Sequence, residues 1–313
     1  MSSINTLLIR FATEKPISFQ SFSGFASCGV FYNLIKSIDE SLAEDLHSSK
    51  RLAPWSASPI FLEYPPPPRI IYRNLPAPSI ASISFTIMED KLNNIIKEIL
   101  IRPNFSIDLV DVKPRILNIG VETYDFSKIA SSAEPLPMKF SIKFLTPTVF
   151  RRSIYDCCPY CPYYMDYLRT LKEGRKLERP CKYAKSCRGT ILPLPLPSLM
   201  FKNMARIWAA FSDEKLDVWE AARWAEEAIV IAGFPKGIRT VRVYEHPTTN
   251  KWIVGFTGEV RFSIREDFYK DKYAKIASAL IKMAEKTNVG VRRTAGLGMI
   301  KYKESNAKKD VST

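Results

Sequence analysis

Apolar and polar residues follow one another in runs along the first 130 residues, and each run predicts one element. Apolar positions at 4–11 predict a strand, whereas Phe31, Leu34 and Ile35 lie at helical spacing and predict a helix over 22–38. Asp39 can cap a second, short helix that ends near residue 47. The remaining runs predict strands at 58–64, 70–74 and 80–88, a helix at 90–102, and one or two strands between 106 and 121. This order, β-α-β-β-α-β with an extra short helix, is the ferredoxin-like arrangement.

The same order of elements recurs after a polar stretch at 125–137. The pattern predicts a strand at 138–145, a helix at 199–211, a hairpin of strands at 240–245 and 252–264, a helix at 273–285 and a closing strand at 299–303. We therefore expect an α+β protein of two tandem ferredoxin-like (RRM-like) domains. The expected domains are 1–130 and 138–303, the second with a cysteine-rich insertion at 153–190, followed by a polar tail at 304–313.

Composition adds a charge argument to this pattern. The chain has 313 residues and is 46% hydrophobic, which is enough for two cores, and its 46 Lys and Arg outnumber 32 Asp and Glu to give a formal charge of +14. A positive field attracts polyanions, so nucleic acid is the first partner to consider, although an undirected basic surface explains the charge equally well. Since no secretory signal or membrane-length apolar run is present, we expect a cytoplasmic protein that does not bind a membrane.

Glycines and arginines are concentrated near the C-terminus, in NVGVRRTAGLGMIKY at 288–302. Gly290, Gly296 and Gly298 allow positive φ angles, and exposed amides with Arg292 and Arg293 would form a concave anion site. The alternative is a glycine-rich turn whose arginines only face water. The loop is neither a dinucleotide-binding fingerprint nor a Walker loop, because it lies between a predicted helix and a predicted strand.

Cysteines form a second cluster, within the insertion at 153–190. Cys158 and Cys161 have the two-residue spacing of metal-binding thiolates, and Cys181 and Cys187 would complete a four-sulfur site for a structural zinc ion. This assignment leaves Cys157 as the spare cysteine, or Cys158 if Cys157 is a ligand instead. An iron–sulfur cluster and disulfide bonds are the alternatives to zinc.

Several segments taken together resemble a known family. The segments are 31–61, KFLTPTVFRR at 143–152, LPLPSLMFKNMARIW at 194–208, GFTGEVRFSI at 255–264 and GVRRTAGLGMIKY at 290–302. In the same order, they are similar to segments of the CRISPR-associated endoribonucleases that process precursor guide RNA. These enzymes belong to the RAMP superfamily and are often called CRISPR-associated protein six. One departure is Asn288, which stands where the family loop often has a glycine, although asparagine also tolerates positive φ.

The resemblance also suggests catalytic residues. RNA cleavage without a metal needs a base for a ribose 2′-hydroxyl and an acid for the leaving oxygen, and imidazole suits proton transfer. Of the two histidines, His246 lies in a predicted hairpin turn, whereas His47 ends a helix. In several members of the family, whose catalytic residues vary, a Tyr, a His and a Lys form the catalytic group, which implies Tyr32 and His47. The family lysine would fall near Ala53, so Lys50 or Arg51 would replace it.

Each catalytic candidate has a structural alternative. His47 can instead stabilise a helix C-terminus, and Tyr32 can be a partly buried aromatic residue. For RNA binding, the resemblance implies the glycine loop with Arg292 and Arg293, and Arg151 and Arg152 as weaker candidates.

The resemblance, taken with the charge and the glycine-rich loop, implies a metal-independent endoribonuclease. It would bind CRISPR repeat RNA and leave a 2′,3′-cyclic phosphate, with no cofactor for catalysis and a structural zinc. Other CRISPR effector subunits would be additional partners. One alternative is a non-catalytic RAMP subunit that holds guide RNA in an effector complex. The other is a ferredoxin-like regulator that senses metal or redox state through its cysteines.

Overall fold

The computed structural model of the chain describes residues 2–48, 52–102, 105–152, 191–245 and 252–304. The elements of the first half are, in chain order, β1 (Ser3–Thr13), β2 (Ile17–Ser18), α1 (Ser23–Lys36), α2 (Glu40–Ser48), β3 (Trp55–Ala57), β4 (Phe61–Leu62), β5 (Arg69–Ile70), β6 (Asn74–Leu75), β7 (Ser79–Ile87), α3 (Asp90–Ile101), β8 (Arg115–Asp125) and α4 (Phe126–Ser131).

The second half continues the series with elements of the same kinds. They are β9 (Lys139–Thr148), β10 (Phe150–Arg151), β11 (Ile191–Leu192), α5 (Pro197–Phe211), α6 (Val218–Ala228), β12 (Ile229–Gly233), β13 (Ile238–Glu245), β14 (Trp252–Ile264), a 3₁₀ helix (Glu266–Phe268), α7 (Asp271–Thr287), a second 3₁₀ helix (Arg293–Ala295) and β15 (Ile300–Glu304).

The first sheet is antiparallel, with β1 between β7 and β8. Its strand order is β5-β4-β7-β1-β8, and β3 pairs with another part of β7. Leu7, Ile9 and Phe11 alternate with more exposed residues along β1, so one face of the sheet is apolar. This face forms one core with the buried sides of α1 and α3, including Phe31 and Ile99. The order and connections are those of a ferredoxin-like domain.

The second sheet repeats this topology with different side chains. Its order is β12-β14-β9-β15, and β13 pairs with the other part of the long strand β14. Phe140, Phe144 and Phe262 from the sheet pack with the buried faces of α5, α6 and α7 in a second core. The predicted α+β class, with two tandem ferredoxin-like arrangements, is therefore confirmed. The predicted domain limits and the cysteine-rich insertion remain predictions, since the insertion lies outside the described residues.

Some predicted elements need correction. The segment expected to be a polar linker contains α4, and its Phe126, Ala133 and Leu136 are buried in the second core. The expected strand at 58–64 is divided between β3 and β4, and the one at 70–74 between β5 and β6. Helix α6 and strand β12 were not predicted. The buried face of α6 consists largely of alanine, so it gives a weaker apolar signal than the Leu-, Ile- and Phe-rich helices.

Candidate functional site

Tyr32 and His47 are brought together by the first two helices. Tyr32 lies on α1, and His47 lies in the last turn of α2, whose start is capped by Asp39 through a 2.9 Å hydrogen bond donated by the Leu42 amide. The two rings meet edge to face, with centroids 5.8 Å apart. Tyr32 also contacts the buried Trp55 ring, with centroids 5.5 Å apart. The phenol is thus half-buried and contacts both Trp55 and an exposed imidazole.

Burial controls the protonation of two side chains on this part of α1. Burial, and secondarily the nearby Cys28, raises the pKa of Tyr32, so its phenol stays protonated and can donate a hydrogen bond. Burial also raises the pKa of the Cys28 thiol to about 11, despite opposing effects of a hydrogen bond with Thr294 and of the Arg292 charge. Cys28 therefore lies beside the glycine-rich loop, one helical turn from Tyr32.

The three loop glycines are buried against the protein's own backbone. Gly290, Gly296 and Gly298 have φ angles of 79°, 73° and 80°. A Cβ at Gly296 would lie 2.8 Å from the Pro59 nitrogen, and one at Gly290 would lie 2.3 Å from the Val149 carbonyl oxygen. These glycines therefore allow the loop to pack closely on other segments.

The loop amides are also used within the protein. The Gly290 N–H donates to Asn203 Oδ1 at 2.7 Å, and the Val291 N–H donates to the Val149 carbonyl at 2.8 Å. The Gly298 N–H donates to the Pro147 carbonyl at 3.2 Å. The expectation that Gly290, Gly296 and Gly298 offer a series of exposed amides is therefore corrected, because close packing takes up the amides and hides the glycines.

Asn288 begins the loop in the conformation expected for it. Its φ of 59° lies in the positive region, and it ends α7. Its side-chain amide donates to the Ala57 carbonyl of β3 at 2.9 Å. Asparagine thus keeps the turn and adds a contact between the second half of the chain and the first, which glycine would lack.

Arg292 and Arg293 have different surroundings. The Arg293 guanidinium is buried and donates to the Thr287 carbonyl at 2.9 Å and to the Ala53 carbonyl at 2.7 Å. Its expected role as an exposed phosphate ligand is corrected, because both halves of the chain enclose it. Burial, and secondarily the Arg206 charge, lowers the pKa of Arg293 to about 10. Arg292 is exposed, and its guanidinium lies 6.0 Å from the Tyr244 ring.

A cleft of about 430 Å³ opens beside this loop, between the two halves. Its lining comprises Leu52 and Ala53 from the first half, and Phe150, Arg151, Leu199, Lys202, Asn203, Arg206, Trp219 and residues 290–294 from the second. Thr294 connects the cleft to Cys28 and so to the helix that carries Tyr32. The described lining includes several cations and no carboxylate, so the cleft suits an anionic ligand.

Sequence reasoning identified Arg151 but missed four polar or aromatic residues of the cleft. Lys202 and Arg206 are four residues apart on the exposed side of α5, Asn203 lies between them, and Trp219 is in the first turn of α6. The spacing in KNMAR was a detectable signal, since residues at i and i+4 share a helix face. Trp219 could not be assigned because α6 itself was not predicted. Arg152 is exposed and does not belong to the cleft lining.

Several predicted site residues lie outside the described part of the chain. These are Lys50, Arg51, Cys158, Cys161, Cys181 and Cys187. Within the described ranges, no group of three or more His, Cys, Asp or Glu side chains is placed to hold a metal ion. Nor does any described helix combine the length and apolar character that crossing a membrane requires.

Comparison with known proteins gives one family and a set of similar structures. Residues 142–300 match the family model for the CRISPR-associated endoribonuclease Cas6. No curated protein matches the sequence.

The solved structures extend the likeness over nearly the whole chain. A Cas6 product complex is 19% identical, with 97% of this chain and 100% of that chain covered and a TM-score of 0.66. Thermus thermophilus Cas6 is 16% identical, with 97% and 99% covered and a TM-score of 0.62. A Cas6 substrate mimic complex is 14% identical, with 96% and 99% covered and a TM-score of 0.59. At these identities the likeness establishes the fold.

Proposed function

The chain belongs to the CRISPR-associated endoribonuclease Cas6 family, and on that premise we propose that it binds CRISPR repeat RNA and cleaves it beside Tyr32 and His47. The observation that supports this site is the edge-to-face contact of the phenol and imidazole rings at 5.8 Å. Helix α1, which carries Tyr32, contacts the glycine-rich loop that lines the cationic cleft. The similar structures include complexes with a product and with a substrate mimic, which supports RNA as the ligand.

The proposed reaction is an attack of a ribose 2′-hydroxyl on the adjacent phosphate. His47 accepts the hydroxyl proton as the new O–P bond forms, and the bond from phosphorus to the 5′-oxygen breaks. The protonated His47 returns the proton to that oxygen, which gives a free 5′-hydroxyl, and the other product ends in a 2′,3′-cyclic phosphate. Side chains fill each of these roles, so the proposal includes no catalytic metal.

Three further groups would stabilise the charge that develops on the phosphate. The Tyr32 phenol, which remains protonated because burial raises its pKa, donates a hydrogen bond to a phosphate oxygen. The exposed guanidinium of Arg292 provides positive charge from the loop side, and Lys50 or Arg51 would add more from the segment after His47.

A histidine substitution tests the proposed site. We expect His47→Ala to slow cleavage of repeat RNA at least about 100-fold, because it removes the group that transfers the proton. Binding of the RNA, measured by filter retention, should change by less than about threefold. His246→Ala is the matched control, since it removes the other histidine, and it should cleave at the wild-type rate.

The other outcomes assign the function differently. Equal cleavage by wild type and His47→Ala would place the active site elsewhere in the chain. Binding without any cleavage by wild type would favour a non-catalytic RAMP subunit that holds guide RNA. We also propose that the protein associates with other CRISPR effector subunits and is located in the cytoplasm.

We also propose a structural zinc at Cys158, Cys161, Cys181 and Cys187, based on their spacing in the sequence. Elemental analysis of the purified protein would detect it, and Cys158→Ser should lose it. Iron or no metal would contradict this assignment.

A further inference from the structure

One face of the cleft has features that the proposed cleavage reaction does not use. Trp219 is 51% exposed, although tryptophan is large and apolar, and it lines the same cleft as Lys202 and Arg206. In the described part of the chain, no other aromatic ring and no cation stacks on its indole. Exposed tryptophans of this kind are typical of binding surfaces, where one face of the ring contacts a partner.

The charges around Trp219 indicate the type of partner. Arg206 and Lys202 are exposed, one helical turn apart on α5, and Arg151 and Arg292 extend the positive lining. The Arg206 charge also contributes to the lowered pKa of the buried Arg293, so its field reaches into the loop. The partner should therefore carry both negative charge and a flat apolar group.

Asn203 fixes the position of this face relative to the loop. Its side-chain oxygen accepts the Gly290 N–H at 2.7 Å, so the middle of α5 is tied to the start of the loop that carries Arg292. A ligand that contacts Arg206 and Trp219 would thus be held in a defined position relative to Arg292. This arrangement suits a polymer that continues from one site to the other.

From these observations we propose that the cleft is a subsite for one unpaired nucleotide of the RNA, with its base stacked on Trp219 and its phosphate held by Arg206 and Lys202. This inference rests on the proposed function. Base stacking on an aromatic ring requires an unpaired base, and phosphate contacts from Lys and Arg accompany it in single-strand binding sites. A volume of about 430 Å³ is at the lower end of ligand pockets, which suits a single nucleotide rather than a duplex. An acidic peptide would satisfy the cations but would not need the flat indole.

The test combines Trp219 variants with altered RNA. Binding is measured in a His47→Ala background, so that cleavage does not interfere, with repeat RNAs in which one unpaired nucleotide at a time is made abasic. We expect Trp219→Ala to weaken binding of intact RNA about 10-fold, and Trp219→Phe to restore most of it. At one position, the abasic RNA should bind about 10-fold more weakly than intact RNA to the parent protein, which retains Trp219. The Trp219→Ala variant should bind that abasic RNA and intact RNA equally, because the missing base and the missing indole remove the same contact.

Matched controls separate a subsite from a general effect. Trp252 is also 51% exposed but lies outside the cleft, with Arg242 stacked 3.1 Å from its ring centroid. Trp252→Ala should bind the RNA as the parent protein does. For the cation, Arg206→Gln should weaken binding, whereas Arg223→Gln should not, because Arg223 lies on α6 outside the cleft and pairs with Glu227.

Three results would overturn the subsite. The first is equal loss of binding in Trp219→Ala and Trp252→Ala, and the second is additive loss at every abasic position. Unchanged RNA binding in Trp219→Ala would also overturn it and favour an acidic peptide as the ligand. These outcomes are independent of the proposed cleavage, since a wild-type protein that never cuts RNA can still show the Trp219 effect, and an active enzyme can lack it.

Discussion

Arg292 and Arg293 are adjacent in the chain but belong to different parts of the molecule. The Arg292 backbone is left-handed, with φ 57°, and its side chain is exposed. The next residue begins the short 3₁₀ helix, and its guanidinium is directed into the protein, where it donates to two carbonyl oxygens. Arg293 therefore connects the end of α7 to the segment before β3, and only Arg292 is exposed to a ligand.

Because of these different surroundings, we expect the same substitution to affect stability at Arg293 and RNA binding at Arg292. Arg293→Met should lower the free energy of unfolding by about 2–4 kcal/mol, because it leaves the carbonyls of Thr287 and Ala53 buried without their donor. Arg292→Met, the matched control, should change stability by less than about 0.5 kcal/mol while weakening RNA binding. Urea unfolding and filter binding measure the two quantities. A destabilised Arg292→Met with a stable Arg293→Met would contradict these placements.

Cys28 predicts a specific dependence of stability on pH. Its folded pKa is about 11 and its ordinary value is 9.0, because burial disfavours the thiolate. The contribution of the protonated Cys28 thiol to the free energy of unfolding is therefore fully present below pH 9. It is lost as pH rises through about 11, because the thiol of the unfolded chain releases its proton at a lower pH than the thiol of the folded protein. Relative to Cys28→Ala, the wild-type protein should lose unfolding free energy between pH 9 and pH 11, as measured by urea unfolding. A constant difference between the two proteins over that interval would show that the thiol is not buried as described.

For single residues, only the family resemblance predicts that Tyr32 and His47 belong to the same catalytic site. Their spacing of 15 residues does not itself show that α1 and α2 bring the rings together. Similarly, Arg292 and Arg293 are adjacent in one glycine-rich loop, so the neighbouring sequence gives the same prediction for both. Their different environments depend on segments more than 200 residues away, such as Ala53, so local patterns could not separate them.

Among the elements, those with Leu, Ile and Phe on one face were predicted well. Strand β1 and helices α1 and α3 lie close to the expected ranges, because large apolar side chains give a clear period. Helix α6 was missed because Ala221, Ala222 and Ala225 form much of its buried face. Alanine packs two helices closely but contributes little to the apolar pattern, and α5 and α6 do pack against each other.

Close packing of the glycine-rich loop predicts the effect of a single methyl group. Gly296→Ala should lower the free energy of unfolding by at least about 2 kcal/mol, because its φ is 73° and its Cβ would lie 2.8 Å from the Pro59 nitrogen. Gly29→Ala is the matched control within α1, where no atom lies within 4 Å of the added Cβ, and helix propensity should make it neutral or more stable. Thermal unfolding of both variants checks this. Equal stability of the two would show that the loop does not pack tightly on the first half.

At the scale of the whole molecule, the loop at 288–298 joins the two ferredoxin-like halves. Ala295 packs against Gly24 at the start of α1, Asn288 bonds to β3, and Arg293 bonds to the segment before it. The two-part α+β fold could be predicted from the order of elements. The cleft could not, because it is formed by residues of both halves that are far apart in the sequence.

The central claim is that the chain cleaves RNA through a ribose 2′-hydroxyl at the Tyr32 and His47 site without a metal ion. The most direct measurement is cleavage of repeat RNA in EDTA, with the product ends identified by mass spectrometry. A second RNA carries a single 2′-deoxy nucleotide at the position where the first is cut. We predict a 2′,3′-cyclic phosphate and a 5′-hydroxyl from the first RNA, and binding without cleavage of the second. Products with a 5′-phosphate and a 3′-hydroxyl, cleavage of the deoxy RNA, or complete inhibition by EDTA would contradict the claim.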